Sequence, residues 1–143
     1  MAKAYNIIAN AGNDPGIHLV FEHHRPGAEQ IISAEVANQI KDMMVRVTEF
    51  GASSHRAKVE DVSVAGKSGT SHLLGQEGRY ENTYVASFAG FAPSDNPEVV
   101  VAVVVNKPKK NGHFGGQVAA PAFAKILESA LSYSPHMRRD NGD

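Results

Sequence analysis

Val99-Val100-Val101-Ala102-Val103-Val104-Val105 is an unbroken apolar run. β-Branched residues favour extended backbone, and the missing polar alternation predicts a strand covered on both faces. Such a strand usually has a neighbour on each side. Working back along the chain, Thr83 to Phe91 reads as a second strand. The turn Pro93-Ser94-Asp95-Asn96-Pro97 joins the two closely enough to make them antiparallel partners. Val62 to Thr70 reads as another strand, and the polar, glycine-containing stretch from His72 to Asn82 as a loop. Only one neighbour for the valine run is evident. Its other edge is therefore expected to lack a partner, an aggregation liability unless something covers it.

Helices surround these strands. Met1, Ala4, Tyr5, Ile8 and Ala9 have helical spacing, and Gly12 is a stop signal. A helix that begins so abruptly leads us to expect further polypeptide upstream. His18 to Glu22 reads as extended, broken by Pro26-Gly27. Ser33 is a good N-cap, with Glu35 in the first turn and Gly51 as the stop. Between them Val36, Ile40, Met43, Met44 and Val47 form one face, expected to be core. A last helix runs from about Gln117 to Leu131, with an expected buried face of Val118, Ala122, Phe123, Ile126 and Ala130, Leu127 beside it. The order implies an α+β fold: an antiparallel sheet, three strands from this chain, packed with helices. We expect one domain portion over residues 1–133 and a loose tail over 134–143.

Composition removes several function classes. With 42% hydrophobic and 20% charged residues, the chain is not generally disordered. Its formal charge is -1, and the one basic cluster, Lys107, Lys109 and Lys110, reads as a solvated loop, so no nucleic-acid partner is expected. The absence of cysteine excludes disulfides, thiolate-bound zinc and thiol catalysis. His23 and His24 are adjacent and point apart on a strand, and no H-x-x-x-H spacing exists, so no metal is expected. No signal peptide opens the sequence, and Val99 to Val105 is far too short to span a bilayer. As written, the chain is not expected to export or anchor itself.

The most specific local feature is Lys67-Ser68-Gly69-Thr70. On a strand, alternation sends Lys67 and Gly69 to one face and Ser68 and Thr70 to the other. Glycine in mid-strand allows a close approach by a substrate or another backbone. A cation and two hydroxyls beside backbone N–H groups suit recognition of a carboxylate and an oxyanion. Taken alone, the pattern also fits a polar strand end with a bulge.

The flanks add specificity. In order come Ala65-Gly66 before the motif, Gly78-Arg79-Tyr80, Tyr84-Val85-Ala86-Ser87-Phe88-Ala89-Gly90-Phe91-Ala92-Pro93, then Val101 to Pro108, and Phe114-Gly115-Gly116-Gln117 through Phe123. This series resembles the C-terminal part of class B penicillin-binding proteins, the division type more than the elongation type, mainly at Gly78-Arg79-Tyr80 and Gly115-Gly116. Met1 to Gly12 is similar to the family's Ala-x-x-Tyr helix, and Ile31 to Gly51 to the helix before its third motif. The likeness runs in order from Met1 to about Leu131.

The resemblance implies a partial penicillin-binding transpeptidase fold and a peptidoglycan D,D-transpeptidase acting in the periplasm during cell division. It implies a stem peptide ending in D-Ala-D-Ala as substrate, β-lactams as mimics, and no cofactor. Such enzymes use S-x-x-K for the serine nucleophile and its lysine, S-x-N for proton transfer, and K-[ST]-G. Carried onto this sequence, Lys67 and Thr70 are the catalytic candidates. Lys67 would support the electrostatics of the nucleophile. The Thr70 backbone N–H would form half of an oxyanion hole. Ser68, Gly69 and Thr70 are the substrate-binding candidates, with the two hydroxyls on the carboxylate.

The sequence also departs from that pattern. No serine has a lysine three residues later: Ser53 is followed by Arg56, Ser54 by Ala57 and Ser68 by Ser71. The one literal S-x-N, Ser94-Asp95-Asn96, follows the lysine motif instead of preceding it and is ordinary turn chemistry. The chain is therefore expected to hold one wall of an active site and to be inactive alone. The alternative is a non-catalytic interaction module. It would self-associate as a homo-oligomer, or pair with an upstream fragment, through its exposed sheet edge.

Overall fold

A computed structural model describes residues 1–16, 27–74 and 78–133. The elements are α1 (Ala2–Ala9), β1 (Asn13–Asp14), β2 (Glu29–Gln30), α2 (Ala34–Phe50), a 3-10 turn (Ser54–Ala57), β3 (Ala65–Leu74), β4 (Tyr80–Ala92), β5 (Val99–Asn106) and α3 (Gly115–Ser132). The fold is α+β, with a main antiparallel sheet of order β3-β4-β5. The expected strand at His18 to Glu22 and the expected tail at 134–143 lie outside the described residues.

The sheet packs on both sides. On one, α3 and the 3-10 turn cover Phe88, Val101 and the neighbouring valines of β5. There the rings of Phe88 and Phe123 meet with centroids 4.8 Å apart. On the other, α1 and α2 cover Ala65, Phe91 and Val100 through Met44, Tyr5 and Ile8. The Ser33 hydroxyl accepts from the Val36 N–H at 3.3 Å and starts α2. Near the helix end, the buried Thr48 hydroxyl bonds the Val64 carbonyl and ties α2 to the entry of β3.

Several expectations need correction. The His72 to Asn82 loop is mostly strand: β3 runs on to Leu74 and β4 starts at Tyr80, with His72 paired to Tyr84 and Leu74 to Tyr80. Cross-strand ring contacts compensate for the polar composition. As expected for the valine run, β5 has β4 as its one neighbour among the described residues and its other edge carries none, but its two faces are not both covered. Its even-numbered face is only partly covered: α1 reaches Val100, while Ala102 and Val104 are exposed.

Both long helices keep part of the face that periodicity assigned, Met44 in α2 and Phe123 with Leu127 in α3, but the buried stripe is displaced toward the small residues beside them. α2 buries Ala37, Met44 and Thr48, leaving Val36, Met43 and Phe50 exposed at 45%, 63% and 81%. α3 buries Ala119, Ala120, Phe123, Leu127 and Leu131, and Ile126 is half exposed. Small residues explain the difference. Alanines and glycines let a helix approach a sheet closely but add little to an apolar pattern.

At the sheet's periphery Lys3 and Asp14 form an ion pair of 2.7 Å between α1 and β1. The hydrogen bond from Lys3, together with the N–H of Gly16, holds the Asp14 carboxyl below its usual range. A lowered folded value contributes stability above the unfolded carboxylate value of about 3.9, lost as pH falls through the folded one. Asp14→Asn is therefore expected to cost only a little stability at neutral pH, because the pair is surface-screened, and nothing in strong acid, where the carboxyl is protonated in both states. Urea midpoints of both proteins from pH 7 downward check this; a constant gap at every pH contradicts it.

Candidate active site

β3 carries Lys67-Ser68-Gly69-Thr70, paired in register with Ala89, Phe88, Ser87 and Ala86 of β4. Among the described residues the other edge of β3 has no strand neighbour, so the motif lies along an open margin of the sheet. Two glycines permit the local packing. A Cβ on Gly66 would fall 2.6 Å from the Phe88 ring, and one on Gly69 2.6 Å from the Ser87 hydroxyl.

Ser68 and Thr70 lie on the α3 side, and each has its hydroxyl oxygen engaged from within the protein. The buried Ser54 in the 3-10 turn places its Oγ 3.4 Å from Ser68 Oγ. The Gly115 N–H, first in α3, donates to Thr70 Oγ1 at 3.0 Å. Lys67 is exposed, and its Nζ donates to the Ser68 carbonyl at 2.8 Å. The four motif residues are thus brought together on one strand margin, with Lys67 on the face opposite the two hydroxyls.

Gly115 and Gly116 seat the start of α3 against this strand. A Cβ on Gly115 would collide with the carbonyls of Ser87 and Gly69, and one on Gly116 with the Ser53 hydroxyl. Just beyond the motif a column of rings closes one end of the wall. His72 lies 4.4 Å from Tyr84 between centroids, Tyr84 stacks on His113 at 4.0 Å, and His113 meets Phe114 at 4.2 Å. These rings come from β3, β4 and the loop before α3, so no single stretch of sequence displays them.

The charges are segregated. No Asp or Glu occurs at positions 62–76, 82–94 or 99–127, whereas Lys67, Lys107, Lys109, Lys110 and Lys125 fall within those stretches. The strand that bears the motif thus carries one cation, Lys67, and no carboxylate. Among the described residues no cluster of three or more His, Cys, Asp or Glu could hold a metal ion. No helix of the described residues is long and apolar enough to cross a membrane.

Sequence reasoning did not find Ser54, whose place in a short turn carries no pattern. It named Gly115 and Gly116 as part of the family resemblance, with no contact to the motif attached. Their contacts link residues 14 and 45 positions apart, beyond the reach of local periodicity.

Residues 1–128 match the penicillin binding protein transpeptidase domain. The chain belongs to this family. Among its relatives, the probable peptidoglycan D,D-transpeptidase PenA of Neisseria flavescens is 35% identical over 92% of the chain and 33% of that protein. Stage V sporulation protein D of Bacillus subtilis is 39% identical over 87% of the chain and 19% of that protein. The apo transpeptidase domain of Burkholderia pseudomallei penicillin-binding protein 3 superposes with a TM-score of 0.77 and 36% identity, covering 95% of this chain and 43% of that one. The chain therefore spans about a third or less of the length of these two curated relatives, and under half of the solved transpeptidase domain.

Proposed function

We propose that this chain supplies the Lys67–Thr70 wall of a serine D,D-transpeptidase site as the C-terminal portion, residues 1–133, of a transpeptidase domain. The observation that carries this is the motif on an open strand margin, its two hydroxyls backed by Ser54 and Gly115. In the complete site a serine oxygen attacks the carbonyl of the penultimate D-Ala, or of a β-lactam. The C–N bond breaks, the serine proton passes to the leaving nitrogen, and an ester remains. Lys67 supports the charge around that serine. The Ser68 and Thr70 hydroxyls donate to the substrate carboxylate, Gly69 lets it approach, and the Thr70 N–H donates to the developing oxyanion. The reading places the intact protein in the periplasm at sites of cell division, with no cofactor.

This sequence has no serine paired with a lysine three residues on. Removing a serine nucleophile typically costs on the order of 10⁶ in turnover. The chain by itself is accordingly read as unable to transpeptidate or to form an acyl-enzyme. Labelled penicillin should leave no covalent label on the purified chain after denaturation, and retained label would overturn this reading. Mixing with an upstream transpeptidase half should restore acylation of that half. In the mixture Lys67→Ala should lower the acylation rate on the order of 100-fold; an unchanged rate would remove Lys67 from the site.

The non-catalytic reading has its own support. The edge of β5 that has no strand neighbour among the described residues, and the exposed row Val36, Met43 and Phe50 on α2, are apolar surfaces that a further polypeptide could cover. Self-association or capture of the upstream half would both use them. Light scattering separates the outcomes: mass rising with concentration supports self-association, and a strict monomer that shifts to a one-to-one complex with the upstream half supports complementation.

A further inference from the structure

The Thr70 hydroxyl has one proton and two acceptor lone pairs. One pair is occupied from inside by the Gly115 N–H at 3.0 Å. The first N–H groups of any helix lack intrahelical acceptors, and α3 has no side-chain cap, since Phe114 occupies that position. Thr70 therefore serves as the acceptor at the start of α3, reached across the sheet from 45 residues away. The bond fixes the hydroxyl. With the inner lone pair filled by a donor, its proton is directed to the open margin, and donation into the oxygen strengthens the O–H as a donor. Ser54 stands behind Ser68 in the same manner, at a longer 3.4 Å.

We propose that the Gly115 backbone N–H is a positioning group that turns the Thr70 hydroxyl proton outward, toward a ligand carboxylate. The outward half of this proposal rests on the function proposed above. Glycine at 115 is part of the device, because a Cβ there would collide with the Ser87 and Gly69 carbonyls and lift the helix start off the strand.

Two measurements test it. The first uses this chain alone and reads the Gly115 amide by hydrogen exchange and the Thr70 χ1 rotamer by three-bond couplings. The amide should be protected in the unsubstituted chain and in Thr70→Ser. It should exchange about 5–10-fold faster in Thr70→Val, with unchanged circular dichroism. Gly115→Ala should leave Thr70 averaging between rotamers. Equal exchange in all three, or an unmoved rotamer, would overturn the contact.

The second uses the chain mixed with the upstream half and compares acylation by benzylpenicillin and by its methyl ester. Thr70→Val should slow benzylpenicillin about 10–100-fold and its methyl ester by clearly less, and Thr70→Ser, which keeps the hydroxyl that Gly115 holds, should restore most of the rate. An equal loss on both compounds would show that the hydroxyl held by Gly115 does not serve the carboxylate and sink the proposal. If the unsubstituted mixture acylates with neither compound, the transpeptidase reading fails and takes the carboxylate role with it. The exchange result still decides the Gly115–Thr70 contact.

Discussion

Replacing Phe123 by alanine is expected to cost about 3–5 kcal/mol of unfolding free energy, which for a domain of ordinary stability, ~5–15 kcal/mol, removes a large share of the total. The ring is fully buried, contacts Phe88 with centroids 4.8 Å apart, and joins α3 to the central strand β4. Deleting it removes apolar contact from both partners and leaves a cavity that a sheet and a helix cannot close. The control is Ile126→Ala on the same helix. Ile126 is 49% exposed, so its truncation should cost less than about 1 kcal/mol. Urea unfolding of the two variants decides the matter, and a larger loss for Ile126 would mean that the helix is rotated from the face described.

Gly90→Ala is the second large effect. A Cβ there would collide with the Ala65 carbonyl, lie 2.8 Å from the Gly66 Cα and stand 3.1 Å from the Phe123 ring. Two of those neighbours are backbone and cannot rotate away. Relief requires β3 to separate from β4 or α3 to lift, and overpacking of this kind costs about 1–3 kcal/mol. The strand that moves is the one bearing Lys67. We therefore expect this methyl group to disturb the amide resonances of residues 66–70 more than those of α2. A perturbation confined to α3 would show that the helix yields instead.

The legible parts of this fold are those where one segment carries its own signal. The Ser33 cap was readable because a hydroxyl before a periodic apolar run has a local role. The partnership of β4 with β5 was readable from two strand patterns and a short turn. The helix faces were legible in part: Met44, Phe123 and Leu127 are buried as expected, but Met43 is as apolar as Met44, and only the sheet beneath α2 decides which points inward. Both β3 and β4 were legible as strands, but their ends, His72 to Leu74 and Tyr80 to Asn82, were read as loop because the pairs His72 with Tyr84 and Leu74 with Tyr80 are invisible until both strands are placed. The motif itself was legible as four adjacent residues. What stands behind it was not: Ser54 and Gly115 reach their hydroxyls through tertiary structure alone.

Lys67 rests with its ammonium on the carbonyl of Ser68, the next residue along. A tether to one's immediate neighbour involves only side-chain torsions, which in exposed positions reorient within about picoseconds to nanoseconds. An arriving acceptor can thus recruit the cation by a swing of one flexible arm while the strand stays still. Placing the charge is therefore a fast local event, which sets no limit on how quickly a ligand is met at this margin.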